Sequence, residues 1–168
     1  MREEPSPQPP ACSVLVIGGA GYIGSGLVRD LLADGHRVRV LDSLVFGEES
    51  IRDLFGQPGF ELVRGDIREA EPVLRATKGM DAVIHLAGIV GDAACALNEN
   101  ETLATNLAAT QLIIQACRDS GVSRLLFASS CSVYGAADRV VDECSALAPV
   151  SLYATTKVDS PRNSCWRR

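Results

Sequence analysis

The sequence predicts a doubly wound α/β fold in which a parallel sheet carries helices on both faces. Two observations predict it. Five short apolar segments alternate with helical or partly helical segments along the chain, which is typical of parallel sheets. The first apolar segment also runs directly into a cluster of glycines and then an apolar stripe of helical period. Because crossovers between parallel strands are right-handed, we expect the strand order 3-2-1-4-5.

The predicted strands are short apolar or alternating runs, and helices or loops separate them. The strands cover residues 14–17, 37–41, 60–63, 82–86 and 124–128. Helices are predicted after the glycine cluster and at 50–55, 69–77 and 101–120, with loops at 91–99 and 136–150. A last helix is expected to carry Tyr153, and Pro161 is expected to interrupt it.

Charge and cysteine content exclude several classes of partner. The net charge of −5 gives no reason to expect binding to nucleic acid or an anionic membrane, and no apolar run is long enough to cross a bilayer. The six cysteines include no C-x-x-C pair, and only His36 and His85 could join them at a metal, so we expect no metal site. Free thiols are instead typical of the reducing cytoplasm.

A glycine turn follows the first strand at Gly18, Gly21 and Gly24, with the spacing G-x-x-G-x-x-G. Glycines between a strand and a helix allow a tight turn and close backbone approach, and the helix N-terminus offers free N–H groups to an anion. The turn therefore predicts a pyrophosphate site in a Rossmann-type sheet. The alternative is a glycine-rich turn without a ligand.

The second strand ends at Asp42, which lies 18 residues beyond Gly24. A dinucleotide-binding fold places there an acid that accepts hydrogen bonds from the adenosine ribose. A carboxylate would repel a 2′-phosphate, and no arginine follows at once, so NAD is favoured over NADP. The alternative is a solvated aspartate in a turn. Residues at the ends of the other strands, namely Asp66, Ala87 and Ser130, are expected to meet the glycine turn at the same sheet edge, whereas His85 is expected to be a satisfied core residue.

Tyr153 and Lys157 are four residues apart, so a helix presents both on one face. A lysine ammonium beside a phenol favours the phenolate, which can take a proton from a substrate hydroxyl. Ser130 could hydrogen-bond the same hydroxyl oxygen. Next to a nicotinamide, this arrangement predicts hydride transfer between an alcohol carbon and NAD. Alternatively, Y-x-x-x-K is a chance pattern on an exposed helix face.

With these motifs the chain resembles the extended short-chain dehydrogenase/reductase family, in particular its NAD-dependent nucleotide-sugar epimerase/dehydratase group. The matching stretches are IGGAGYIG (17–24), LD (41–42), GDIRE (65–69), HLAG (85–88), TNLAATQLIIQAC (105–117), SSCSVYG (129–135) and YATTK (153–157). The resemblance implies a catalytic triad of Ser130, Tyr153 and Lys157, with Asn106 in a supporting role. It also implies that NAD is bound by Gly18, Gly21, Tyr22, Ile23, Gly24, Asp42, Asp66, Ile67, Leu86, Ala87, Gly88, Tyr153 and Lys157. Of these, Asp66 and Ile67 are expected at the adenine, and Lys157 at the nicotinamide ribose.

Three departures from the family pattern qualify that implication. Ile17 replaces the usual threonine before the first glycine. Cys131 and Ser132 stand where the dehydratases of the group carry an Asp-Glu pair, which disfavours dehydration. Finally, family members are about twice as long, so the substrate region is expected to be missing through truncation. The predicted organisation is a disordered leader at 1–11, an NAD-binding domain at 12–160 and an aberrant tail at 161–168.

The sequence thus predicts an NAD-dependent, nucleotide-sugar epimerase-like oxidoreductase in truncated form, acting on a nucleotide-sugar substrate in the intact enzyme. Two alternatives stay open: a ketoreductase or alcohol dehydrogenase with a non-nucleotide substrate, and a non-catalytic NAD-binding module. The resemblance also allows a homodimer through the helices that follow strands four and five.

Overall fold

The computed structural model describes residues 11–162, with side chains described as far as residue 160. The predicted leader, apart from Ala11, and nearly all of the predicted tail therefore lie outside the described residues. A five-stranded parallel sheet forms the centre, in the order β3-β2-β1-β4-β5. This order confirms the predicted fold class. The strands are β1 (Ser13–Ile17), β2 (Arg37–Asp42), β3 (Phe60–Arg64), β4 (Ala82–His85) and β5 (Arg124–Phe127).

Six α-helices and three shorter helical segments connect and follow the described strands. The α-helices are α1 (Tyr22–Ala33), α2 (Ala70–Thr77), α3 (Asp92–Leu97), α4 (Glu99–Thr102), α5 (Ala109–Asp119) and α6 (Leu152–Arg162). A π-helical segment, Leu103–Ala108, joins α4 to α5, and 3₁₀ turns lie at Arg52–Leu54 and Cys131–Tyr134. The predicted helix at 101–120 is therefore three consecutive segments that begin at Glu99.

Apolar residues alternate between the two sheet faces because side chains on a strand point alternately up and down. Val14 and Val16 pack on one face with Val28 of α1. Leu15 and Ile17 pack on the other face, in the core cluster that contains side chains of α2 and α5. The sheet is thus covered on both faces, and its carboxyl edge is left for a site.

Two predictions about secondary structure are wrong. Residues 92–97 of the predicted loop at 91–99 form α3, which is held where the Thr102 hydroxyl donates to the Cys95 carbonyl at 3.0 Å. Pro161 does not interrupt α6, which continues to Arg162. A proline there removes one backbone donor, while the preceding turn keeps its hydroxyl bond from Ser160 to the Thr156 carbonyl at 2.6 Å.

Candidate NAD-binding and catalytic site

A cavity of about 740 Å³ lies at the carboxyl edge of the sheet. It begins at the turn between β1 and α1 and extends past the ends of β2, β3 and β4 to α6. All thirteen residues predicted to bind the cofactor line this cavity. The fold therefore brings together residues from separate stretches of the chain.

The glycine turn is shaped by backbone contacts that exclude larger residues. Gly18 has a φ of +83°, and a Cβ there would lie 2.7 Å from the Ala87 nitrogen. A Cβ on Gly24 would overlap the Gly18 carbonyl oxygen. No described side chain caps the N-terminus of α1, and Tyr22 and Ile23 of its first turn line the cavity. Uncapped N–H groups beside a cavity of this size fit the pyrophosphate of a dinucleotide.

The two carboxylates on the cavity wall differ in how many acceptor positions remain. Asp42 accepts one N–H on each oxygen, from Ala20 and from Leu44, both at 2.9 Å. Each of its oxygens keeps a lone pair, so Asp42 can still accept ribose hydroxyls. Asp66 is occupied by Arg68, whose guanidinium and backbone N–H both donate to it. The side-chain hydrogen bond from Arg68 lowers the pKa of Asp66, in spite of partial burial.

Tyr153 and Lys157 lie on one face of α6, and both line the cavity. The Lys157 ammonium donates to the Ala128 carbonyl at 2.9 Å and sits 4.7 Å from the Phe127 ring centroid and 5.8 Å from that of Tyr153. Burial lowers the pKa of Lys157. The ammonium is thus held by a carbonyl and two aromatic faces, close to the phenol ring it was predicted to accompany.

Ser130 is displaced from the other two predicted catalytic residues. The cavity wall contains Ala128 and Ser129 but not Ser130. The Ser130 hydroxyl lies 2.7 Å from that of Ser132 and accepts the Ser132 backbone N–H at 3.2 Å, capping the 3₁₀ turn. In this conformation the structure brings Tyr153 and Lys157 to the cavity but leaves Ser130 engaged in its own turn.

Asn106 has a supporting position behind the cavity, in the π-helical segment. It is buried, and its amide pairs with both backbone groups of Ile89, accepting from the N–H at 2.8 Å and donating to the carbonyl at 2.9 Å. The backbone carbonyl of Asn106 accepts hydrogen bonds from the hydroxyls of Thr110 at 2.7 Å and Ser160 at 2.9 Å. The loop after β4 and helix α6 are therefore both tied to one residue.

His85 is buried in the core as predicted, but only one of its ring nitrogens is satisfied. Its Nε2 lies 3.0 Å from the Thr110 hydroxyl, whose proton is already donated to the Asn106 carbonyl. Nε2 must therefore carry the imidazole proton. Nδ1 has no partner among the described residues. Burial, assisted by the charge of Lys157, lowers the pKa of His85 to about 3, so the ring is neutral at physiological pH and is not a base for the cavity.

A sequence model of the NAD dependent epimerase/dehydratase family matches residues 14–161, nearly the whole described chain. The chain belongs to this family. This match confirms the family resemblance that the motifs indicated. The family depends on NAD, so NAD is the cofactor that belongs with this cavity.

Named relatives of this NAD dependent epimerase/dehydratase family member include sugar-nucleotide epimerases. A UDP-glucose 4-epimerase of Lactobacillus helveticus is 34% identical over 157 residues, which cover 91% of this chain and 46% of the relative. The UDP-Glc/GlcNAc 4-epimerase of Campylobacter jejuni superposes with a TM-score of 0.85 at 30% identity, over 91% of this chain and 48% of that structure. The UDP-glucose 4-epimerase of Thermus thermophilus, crystallised with NAD, has a TM-score of 0.80 at 34% identity, over 90% and 49%. The chain thus spans about half the length of the relatives it matches.

Two further observations on the described residues concern metals and membranes. Across residues 11–162, no cluster of three or more His, Cys, Asp or Glu side chains is placed to hold a metal ion. No helix in this part of the chain has the length and hydropathy needed to cross a membrane.

Sequence reasoning missed Arg68, which lines the cavity and donates to Asp66, although it follows Asp66 closely within the GDIRE motif.

Proposed function

We propose that this chain is the cofactor-binding part of an NAD-dependent oxidoreductase that acts at a hydroxyl-bearing carbon of a nucleotide sugar, in the manner of a 4-epimerase. The observation that carries the proposal is the shared cavity. The uncapped glycine turn, the half-satisfied Asp42 and the Tyr153–Lys157 pair all line it. A phosphate site, a ribose acceptor and a proton-transfer pair are the parts that such chemistry needs.

Each residue then has a role set by its position. The N-terminus of α1 binds the pyrophosphate, and Asp42 orients the adenosine ribose. Lys157, in the position that the Ala128 carbonyl fixes, stabilises the phenolate form of Tyr153. This phenolate takes the proton of a sugar hydroxyl and becomes a neutral phenol. Bound NAD supplies the acceptor for the hydride from the same carbon. Ser130 joins the substrate hydroxyl once its hydroxyl turns away from Ser132.

Epimerisation is favoured over dehydration by the residues that follow Ser130. Cys131 and Ser132 occupy the 3₁₀ turn there, where the resemblance places an acid pair in dehydratases. A thiol and a hydroxyl are poor groups for the acid and base steps of water elimination. The relatives named above are 4-epimerases of UDP-sugars, which supports the same choice. Unpaired thiols at Cys95 and Cys117 are consistent with a cytoplasmic location.

The experiment is a calorimetric titration of the purified chain with NAD and, separately, with NADP. NAD is expected to bind more tightly, because a 2′-phosphate would face the Asp42 carboxylate. Asp42→Asn should reduce that preference, and Asp30→Asn, which makes the same change of charge in α1, should not. Absence of NAD binding by the folded chain would refute the proposal, and equal affinity for both cofactors would refute the assignment of Asp42.

A further inference from the structure

A second cavity, of about 340 Å³, lies at the amino edge of the sheet. The first residues of three strands line it, namely Ser13 of β1, Arg37 of β2 and Phe60 of β3. The turn that follows α2 also lines it, through Lys78 and Gly79. Because a strand rises about 3.3 Å per residue, this cavity, named here the amino-edge cavity, lies about 13 Å along β1 from the glycine turn. Among the described residues, the two cavities have no lining residue in common.

The one carboxylate on the described wall of the amino-edge cavity is already neutralised. Glu61 accepts from Arg39, whose Nε lies 2.7 Å from Glu61 Oε2. The same guanidinium donates through Nη1 to the carbonyls of Ala76 and Lys78, both at 2.9 Å, and so satisfies carbonyls at the end of α2. Arg39 is therefore a structural residue, and its charge cancels that of Glu61.

Two other cations on the wall have no such partner. No carboxylate in residues 11–160 lies within ion-pair distance of Arg37 or Lys78. Arg37 Nη2 donates to the Ser13 hydroxyl at 2.7 Å, across the pairing of β1 with β2. This contact holds one end of the guanidinium in place and leaves its other N–H groups available for a ligand.

Ser13 adds a buried donor to these two charges. The residue is 3% exposed, and its Oγ accepts the Arg37 N–H. A hydroxyl oxygen that accepts still carries its own proton, and in the described part of the chain that proton has no acceptor. Because a buried donor without an acceptor costs free energy, the wall favours a ligand that brings acceptor oxygens to Ser13.

The groups on this wall match the chemistry of a phosphate monoester. Its dianion has two charges for the two unpaired cations, and its oxygens can accept from both of them and from the Ser13 hydroxyl at once. A carboxylate brings only one charge and two oxygens. The rest of the wall is partly apolar, with the buried Val38 and the partly buried Phe60 and Met80, so a carbon body attached to the phosphate has a surface to contact.

We propose that the amino-edge cavity binds the phosphate group of a small phosphate monoester, with Arg37 and Lys78 as its charge partners and Ser13 as its third donor. The site is separate from the NAD cavity, and it goes beyond the proposed function because it needs neither NAD nor a sugar nucleotide. A ligand held there connects β1, β2 and the turn after α2, and it stabilises the folded chain because only the folded chain binds it.

The test follows the backbone amide signals of the full chain by NMR as a ligand is added. Phenyl phosphate, inorganic phosphate and acetate are titrated separately, at constant ionic strength and about pH 7.5, where a phosphate monoester is a dianion. The amides of Lys78 and Gly79 report on the amino-edge cavity, and those of Gly21 and Gly24 report on the glycine turn. Binding at the two places is therefore measured separately.

The variants are Arg37→Gln and Lys78→Gln, each of which removes one of the two unpaired charges. Arg64→Gln is the matched control, because Arg64 is an exposed arginine at the far end of β3 that lines neither cavity. Urea unfolding curves check that each variant retains the fold. If Arg37→Gln does not fold, the exposed Lys78→Gln decides alone.

Phenyl phosphate is expected to shift the Lys78 and Gly79 amides saturably. It should bind at least about threefold more tightly than inorganic phosphate, because its ring contacts the apolar part of the wall, and at least about tenfold more tightly than acetate. Arg37→Gln and Lys78→Gln should each weaken its binding about tenfold, as expected for the loss of one charge-assisted hydrogen bond. Arg64→Gln should bind within about twofold of wild type, since a distant exposed charge is screened.

The proposal is overturned if the amides of the amino-edge cavity show no saturable shift, whatever happens at the glycine turn. It is equally overturned if acetate binds as tightly as phenyl phosphate, because one negative charge would then suffice. If inorganic phosphate binds as tightly as phenyl phosphate, the ester body plays no part and the assignment of a monoester fails. Weakening by Arg64→Gln equal to that by Lys78→Gln would reveal an effect of net charge alone and would also overturn the proposal.

Discussion

Protonation of the buried His85 is expected to make the chain unusually sensitive to acid. The ring is 1% exposed, its Nε2–H is donated to Thr110, and its Nδ1 faces no partner among the described residues. Burial and the charge of Lys157 lower its pKa from 6.5 to about 3. The unfolded chain therefore takes up a proton below about pH 6.5 that the native chain does not. The contribution of the neutral His85 ring to the free energy of unfolding is therefore complete above that pH, and it is lost as the pH falls towards 3.

The size of the effect follows from the two pKa values. A single proton bound only by the unfolded state costs about 1.4 kcal/mol of stability per pH unit. Over the roughly 2.5 units between 6.5 and pH 4, the loss attributable to His85 is about 3 kcal/mol. For a domain whose total stability is on the order of 5–15 kcal/mol, this is a large fraction.

The assay is urea denaturation followed by circular dichroism between pH 7 and pH 4, for the wild-type chain and His85→Gln. Glutamine can still donate to Thr110 but does not titrate. The variant is expected to be less stable at pH 7, yet its stability should fall less steeply, so that the gap narrows by about 3 kcal/mol at pH 4. Carboxylates titrate in both proteins and cancel in the difference. If the plots of unfolding free energy against pH were parallel for the two proteins, the assignment of the pH dependence to His85 would be refuted.

Two further predictions concern the glycine turn and the thiols. Gly24→Ala should abolish NAD binding and destabilise the chain by about 1–3 kcal/mol, because its Cβ would overlap the carbonyl oxygen of Gly18; titration and urea denaturation measure the two effects. Cys117 should resist iodoacetamide at pH 8 while the exposed Cys131 reacts, because burial raises the pKa of Cys117 to about 12; peptide mass spectrometry of the alkylated native chain reads this out.

Each of these predictions has a control within the chain. Gly26 lies two residues along α1, and a Cβ there meets nothing within 4 Å, so Gly26→Ala should leave NAD binding intact and raise stability by up to about 1 kcal/mol. Equal loss of binding in both alanine variants would contradict the steric argument. For the thiols, unfolding in urea should expose Cys117 to the reagent, and labelling of native Cys117 ahead of Cys131 would contradict its burial.

Local patterns in the sequence predicted the sheet and most of the cavity wall. The strand order followed from five apolar runs and the handedness of crossovers, which do not depend on side-chain detail. The convergence of Gly18, Asp42 and Ala87 followed from the rule that parallel strands end at one edge. These features could be predicted because residues close together in sequence mark each strand and turn, and the general rules for parallel sheets then bring the strand ends together.

Features that depend on contacts distant in sequence, or on the choice among side-chain rotamers, could not be predicted in the same way. The π-helical segment coincides with Asn106, whose amide binds Ile89 and whose carbonyl accepts the Ser160 hydroxyl, 54 residues away. The conformation of Ser130 depends on competition from Ser132, two residues along the chain. The pairing of Asp66 with the Arg68 guanidinium depends on side-chain rotamers, which no periodicity in the sequence encodes.

The hydrogen bonds of Asn106 have a consequence for how the cavity can change shape. Its side-chain amide forms hydrogen bonds with the loop after β4. Its backbone carbonyl accepts a hydrogen bond from α6, the helix that carries the tyrosine and lysine of the cavity. The two walls are therefore connected through one buried residue that lies behind them. The distance between those walls therefore depends on a residue that lies outside the cavity lining. Substitution of Asn106 would therefore change the position of the Tyr153 phenol without altering any side chain that lines the cavity.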